Sequence, residues 1–395
     1  MRLSLVGVLM CLAAGAVAAQ DQQLGARTKG MGGSYTAFED DPVSIWLNPA
    51  GIATQPDQLS VQYQTYTAYP VTSERGTGDE IVTDVEPRTI LVDPPIIPSY
   101  VGTVFQIGDE SGPMAIGVCY ARPYHLNYAL NRILDPNQTE FTPKDNVEQA
   151  FYRFRAAFAR DFKFKDGPGF FTHLAVGGGL DVGFSRWEFR STSETDRSDS
   201  STSFGFGLGT LLGLYDNGES FKVAIGLAYQ SPIEFEFNID PDVLPAFDMP
   251  QQINVGVTFY LFKETPLRAT LDFQFVSWAK TAEEPIFAGQ EEFEDAFNFS
   301  VGFEYRIRLN EKGSMFLYPR AGYRRFDAPW GDKDDLPATG AFKLVLDTKG
   351  EAFNLFTVGV GFQWTTEAQK VRSIDFGLDF GGDSFNAAIG LTYEL

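Results

Sequence analysis

Apolar and polar residues alternate along most of this chain. From Phe221 the odd positions read Phe221, Val223, Ile225, Leu227, Tyr229 and the even ones Lys222, Ala224, Gly226, Ala228, Gln230. The split recurs from Ile253 to Leu261, from Phe297 to Ile307 and from Phe385 to Leu395, with one greasy face and one of Gly, Ser, Asn, Thr or charge. A period of two is a strand, and alternation sustained over ten or more residues with a small or polar second face is the pattern of a transmembrane β-barrel. A soluble sandwich uses shorter strands and needs no such inner face. Strands are predicted near 58–66, 97–107, 114–123, 148–163, 173–189, 201–215, 221–234, 250–262, 267–279, 294–308, 314–326, 352–364, 371–380 and 384–395. That is about fourteen, an even number, as a closed single-chain barrel requires.

The connections support the count. Short turns at 108–113, 164–172, 216–220, 263–266, 309–313 and 365–370 alternate with long loops at 67–96, 124–147, 235–249, 280–293 and 327–351. Bacterial outer-membrane barrels place their short turns in the periplasm and their long loops outside. The register follows from the alternation: Phe273, Phe275, Phe299, Phe303, Ile389 and Leu391 should face lipid. Asp272 and Arg306 should face inward, because a one-residue slip would put charge in hydrocarbon.

Composition agrees with this reading. The 395 residues hold 36 Phe and 39 Gly, and the net charge of -21 argues against a nucleic-acid partner, which needs a basic face. The first residues place the chain. Met1-Arg2, an apolar run from Leu3 to Leu12 and small residues ending at Ala19 form a secretory signal peptide over 1–19. An anchoring helix is the alternative, and the small residues that cut the stretch speak against it. Cleavage removes Cys11 and leaves Cys119 as the one mature cysteine, so no internal disulfide is expected.

Residues 20–57 do not fit the wall. Gly30-Met31-Gly32-Gly33, Asp40-Asp41-Pro42, Ile45-Trp46-Leu47 and Asn48-Pro49-Ala50-Gly51 are too rich in Gly and apolar groups for a solvated tail. Asp41-Pro42 reads as the N-cap and first position of a short helix. The segment is expected inside the barrel, ahead of a wall over 58–395; an unstructured leader is the bland alternative. Asn48-Pro49-Ala50 is expected against the inner face of strand 3. There Asn48 would bond backbone freed by an irregular strand while Pro49 fixes the chain direction.

These motifs, in order, resemble the N-terminal hatch of the FadL-type outer-membrane transporters of long-chain fatty acids and other hydrophobic compounds. Later stretches are similar too: Tyr229 to Phe235, Pro250 to Tyr260, Leu271 to Trp278, Val301 to Arg306 and Arg320 to Tyr323. Residues 67–200 resemble the family poorly. The resemblance implies a fourteen-stranded, all-β barrel with a hatch in its lumen, capture of a hydrophobic small molecule or lipid outside, and sideways exit at an inward-kinked third strand. It implies no cofactor. A monomer is the expected state. The loop 190–200 is too short and polar for the family's apolar helical hairpin, so capture is expected to have moved to Ile90, Leu91, Ile96, Ile97, Tyr124 and Leu126, with Trp46 inside. The alternative is a non-transporting accessory barrel that docks secreted proteins.

Gly117 and Pro123 in strand 3 are the candidate gate. A mid-strand Gly often marks a bulge, and Pro cannot donate to a neighbouring strand; an ordinary inner-face Gly and a strand-ending Pro are the bland reading. Catalysis finds no support, since His125 and His173 lie far apart and no triad or carboxylate pair appears. Asp332, Asp334 and Asp335 offer oxygens to Ca²⁺, but a solvated outer loop is the preferred reading, and no metal site is assigned. The inward charges, among them Arg153, Arg155, Asp181, Lys222, Arg268, Asp272, Glu304, Arg320, Arg324, Asp375 and Asp379, are expected to pair with the hatch, because only a lumen keeps such groups wet or paired in a membrane.

Overall fold

Hydrogen-bonded strands leave no free polar backbone only when the sheet closes, and this chain closes it. The structure, a computed structural model, describes residues 24–38, 40–64, 66–67, 71–77, 80–86, 89–90, 97–108, 112–130, 145–164, 167–191, 196–238, 248–262, 267–279, 281, 295–327, 345–346, 352–381 and 384–395. The leader over 1–19, the capture candidates Leu91 and Ile96, and Asp332, Asp334 and Asp335 lie outside them.

The wall is antiparallel: β1 Gln58–Gln64, β2 Tyr100–Gln106, β3 in two segments Met114–Ala121 and His125–Leu130, β4 Asp145–Lys163, β5 Gly169–Ser191, β6 Arg197–Asp216 and β7 Phe221–Gln230. It continues as β8 Gln251–Leu261, β9 Leu267–Ser277, β10 Ala296–Tyr305 with Ile307–Arg308, β11 Met315–Phe326, β12 Phe353–Thr365, β13 Val371–Gly381 and β14 Ser384–Glu394. Each strand bonds the next. β1 pairs with β14 from Gln58↔Glu394 to Gln64↔Ala388, so the fourteen strands form a closed barrel.

Side-chain parity sorts the two faces as the alternation predicts. Phe273, Phe297 and Phe303 are exposed on the outer face, while Asp272, Ser300 and Glu304 are buried on the inner one. Rings line up across neighbouring strands, as in the Phe273–Phe299 and Phe275–Phe297 pairs at 5.2 and 5.0 Å.

Three strands outgrow a membrane. β4, β5 and β6 run 19, 23 and 20 residues, about twice the 9–11 that a tilted spanning strand needs. The predicted loop 190–200 is therefore mostly strand, and the outer face changes character where the extra length begins. On β6 Phe204, Phe206 and Leu208 are followed upward by Thr202, Ser200 and Ser198; on β5 Val182 and Phe184 give way to Arg186 and Arg190.

β3 and β7 depart from the predicted spans. β3 does not end at Pro123 but breaks over Arg122-Pro123-Tyr124 and resumes at His125, where a loop was expected. β7 stops at Gln230 instead of 234. The next residues cross the inner face of the β5–β6 hairpin: the Ser231 amide donates to the Phe206 carbonyl, the Ser231 hydroxyl accepts from the Phe206 amide, and Ile233 covers Gly183 and Gly205. Ile233 and Phe235 keep the strand alternation, so the sequence does not show the turn inward.

Residues 24–57 occupy the lumen side of the wall. They form a helix α1 over Ala26–Gly30, a turn with positive φ at Gly32 and Gly33, a helix α2 over Ser44–Leu47 and a 3₁₀ turn over Pro49–Ile52. Leu24, Phe38, Ile45, Trp46 and Ile52 have no exposed surface. A Cβ added at Gly177, Gly226, Gly302 or Gly377 would lie under 3.0 Å from this segment's backbone. Those inner-face glycines therefore make room for it.

Candidate functional site

Backbone groups of a segment that forms no sheet need partners, and here the wall supplies them. Asp272 on β9 accepts from the Tyr35 and Thr36 amides at 2.8 and 2.7 Å. Gln62 on β1 accepts from the Ala26 amide, Thr357 on β12 donates to Gly30, and Gln106 on β2 donates to Ala53. The Tyr100 hydroxyl donates to the Pro42 carbonyl.

Charge holds both ends. At one end Glu304 joins Arg27 at 2.7 Å, Arg320 at 2.7 Å and Arg268 at 3.1 Å, while Asp40 bridges Arg27 and Arg268, and Asp375 takes the far side of Arg320. Lys29 meets Asp379 at 2.6 Å. At the other end Asp181 is held by Arg155 at 2.7 Å and by Arg153, and Arg155 also donates to the Ile45 and Trp46 carbonyls at 3.1 and 3.0 Å. Both guanidinium groups stand over the Trp46 ring, at 5.2 and 5.4 Å from its centroid. The inward charges thus pair with the segment and with each other.

The carboxyl of Asp41 is different. Its Oδ1 accepts from the Val43 amide at 2.9 Å, at the start of α2, and it has no salt-bridge partner among the described residues. Burial pushes it up to about 6, against the pull of Arg27.

Asn48-Pro49-Ala50 is not against strand 3. The Asn48 amide donates to Thr36 at 2.7 Å and to Thr210 on β6 at 3.1 Å, and Pro49 lies over Gly177 of β5 and Gly209 of β6. The reason is room, since two inner-face glycines face each other there across the β5–β6 ladder. Strand 3 is met instead by Ile45 and Ile52, both packed at Gly117. Gly117 therefore serves close packing, not a bulge. The irregularity lies at Pro123: three residues of β3, Arg122 to Tyr124, face two of β4, Phe151 and Tyr152, between Ala121↔Arg153 and His125↔Ala150. β2 accompanies β3 only up to Tyr100↔Ala121, after which the Arg122 amide bonds Ser99. Among the described residues the upper segment of β3 pairs with β4 alone.

Tyr124 turns inward at this break and is buried. Its ring meets Phe151 and Trp278 edge-on at 5.9 and 5.7 Å, and Phe151 touches Phe235 at 5.9 Å. Its hydroxyl accepts from Gln252 at 3.2 Å. Gln252 in turn begins a row of amides along the inner wall: Gln274 donates to it at 3.3 Å, and Asn298 donates to Gln274 at 2.8 Å. A cavity of about 40 Å³ lies between this row and Tyr35, Trp46 and Leu47 of the segment, with Arg324 of β11 on its border. A packed aromatic cluster at the break and a polar cavity are therefore joined through Gln252.

Of the other sequence candidates, Trp46 lines the cavity and Ile97 is half-buried; Leu91 and Ile96 lie outside the described residues, as do the side chains of Ile90, Leu126 and His125. His173 bonds Asp161 at 2.9 Å near the short-turn rim. The sequence reading missed Phe151, Gln252, Gln274, Trp278 and Asn298. The signal for the amides was a Gln or Asn at the same inward parity near the long-loop end of β7, β8, β9 and β10, beginning with Gln230.

No protein-family model and no curated protein matches the sequence. Solved structures do match along nearly the whole length. A FadL homologue of Pseudomonas aeruginosa aligns with 97% of this chain and 100% of its own at 12% identity, with a TM-score of 0.56. The toluene transporter TbuX of Ralstonia pickettii aligns with 95% of this chain and 99% of its own at 15% identity and 0.55. The toluene transporter TodX of P. putida gives 95%, 99%, 12% and 0.54. The chain thus has the fold of the FadL-type outer-membrane barrels, the group its N-terminal motifs resemble.

Proposed function

We propose that this chain is a monomeric outer-membrane channel for hydrophobic small molecules, in which residues 24–57 act as a hatch and the break in β3 as a lateral exit. The short turns then face the periplasm and the long loops the outside. The solved relatives of the same fold include toluene transporters, which supports a hydrophobic cargo here. The observation that carries the reading is the interruption at Arg122-Pro123-Tyr124, where β2 stops accompanying β3 among the described residues, beside an aromatic cluster tied through Gln252 to the lining of the lumenal cavity.

The physics favours such a route. An apolar solute crosses the polar surface layer slowly, and a wet lumen would oppose it again. An aromatic compartment offers it a partly dry station, and a gap in the wall releases it into hydrocarbon without another water crossing. Movement of Ile45 and Ile52 away from Gly117 would uncover the lumenal side of β3. The test is uptake by vesicles reconstituted with the full mature chain. Radiolabelled toluene or a long-chain fatty acid should enter them faster than protein-free vesicles, and equal rates would contradict the proposal.

A further inference from the structure

The lumenal cavity is unusual for a passage that handles apolar solutes: one wall is a row of side-chain amides. Gln252, Gln274 and Asn298 bond one another in sequence, and each amide presents both a donor and an acceptor whichever way it is turned. Each amide nitrogen carries two hydrogens and each amide oxygen two lone pairs, so the row keeps donors and acceptors beyond its own bonds, and Trp46 and Tyr35 line the opposite side. Hydrogen-bonding capacity left unfilled in a buried site is costly, and a ligand or water commonly completes it.

We propose that this cavity recognises a neutral head group that both donates and accepts a hydrogen bond, a hydroxyl above all, carried on an aromatic or alkyl body that lies against Tyr124, Phe151 and Trp278. The inference rests on the transport reading and names its solute class. Charge excludes the neighbouring classes. The cavity is bordered by one cation, Arg324, and one carboxylate, Asp272, whose Oδ1 has no hydrogen-bond partner among the described residues. A carboxylate head has no proton to donate and would meet Asp272 as well as Arg324. A bare hydrocarbon would leave the spare donors and acceptors of the amide row unfilled. A hydroxyl answers both kinds of group, and sites built to bond a hydroxyl reject analogues lacking it far more strongly than apolar pockets discriminate by size. The geometry also couples the two compartments, because Gln252 holds both the amide row and the Tyr124 hydroxyl.

Calorimetric titration of the protein in lipid nanodiscs with phenol, toluene and benzoate, corrected for empty nanodiscs, tests this. Phenol should bind saturably and about tenfold or more tighter than either of the others. Gln274→Leu should bring phenol down to the level of toluene, with heat-modifiable gel migration showing that the barrel still assembles. Should that variant fail to assemble, Asn298→Leu replaces it, and the wild-type order of the three ligands decides independently. Toluene or benzoate binding as tightly as phenol would overturn the inference, as would a Gln274→Leu barrel with unchanged phenol affinity. No binding of any of the three, alongside normal toluene uptake by vesicles, would overturn the inference and leave the transport reading standing.

Discussion

Asp41 carries the clearest residue-level consequence. Its carboxyl, raised to about 6 by burial, is protonated in the docked segment at pH values where the free chain has already lost its proton. Between about pH 4 and pH 6 the docked state therefore binds more protons than the undocked one, and docking weakens as pH rises through that window. Asn at this position keeps an oxygen for the Val43 amide and removes the penalty. Asp41→Asn should strengthen docking at pH 7 by roughly 2–3 kcal/mol and change nothing at pH 4; hydrogen exchange of the α2 amides, followed against pH, reads both. Asp181 behaves in the opposite manner. It balances two buried guanidinium groups, so Asp181→Ala strands them and should cost about 3–5 kcal/mol. Urea titration of folded barrels in vesicles would show that loss, and a loss under about 1 kcal/mol would mean the cluster holds nothing.

At the level of elements, the register of the wall was legible because it rests on a local rule. Phe303 faces out and Glu304 in, as parity required, and Phe303→Arg near mid-bilayer should cost roughly 2–4 kcal/mol in the same titration. The places where the reading failed are those decided by distant residues. Pro123 marked an irregularity, but that β3 resumes at His125 depends on β4 continuing upward to receive it. The inward path after Gln230 depends on Gly183 and Gly205, both on another hairpin, leaving space for Ile233. Asn48 went to β6 because Gly177 and Gly209 open a recess there, and no spacing within residues 20–57 carries that information. The charged ladder was read as pairing with the segment from composition alone. Its partners, Arg27 with Glu304 and Lys29 with Asp379, needed the closed barrel to be assigned.

The whole molecule joins three layers: a lipid-facing wall, a segment bonded into it at both ends, and a cavity tied through Gln252 to the break in β3. The central claim is that passage requires the segment to leave β3. Ile45 Cγ1 lies 2.7 Å from a Cβ built at Gly117, so cysteines at these two positions, in a Cys119→Ala background, are placed for a disulfide that fixes the segment to the strand. Toluene uptake by vesicles bearing this Ile45→Cys, Gly117→Cys chain should fall to the protein-free rate on oxidation and recover on reduction. Uptake unchanged with the crosslink fully formed would contradict the account.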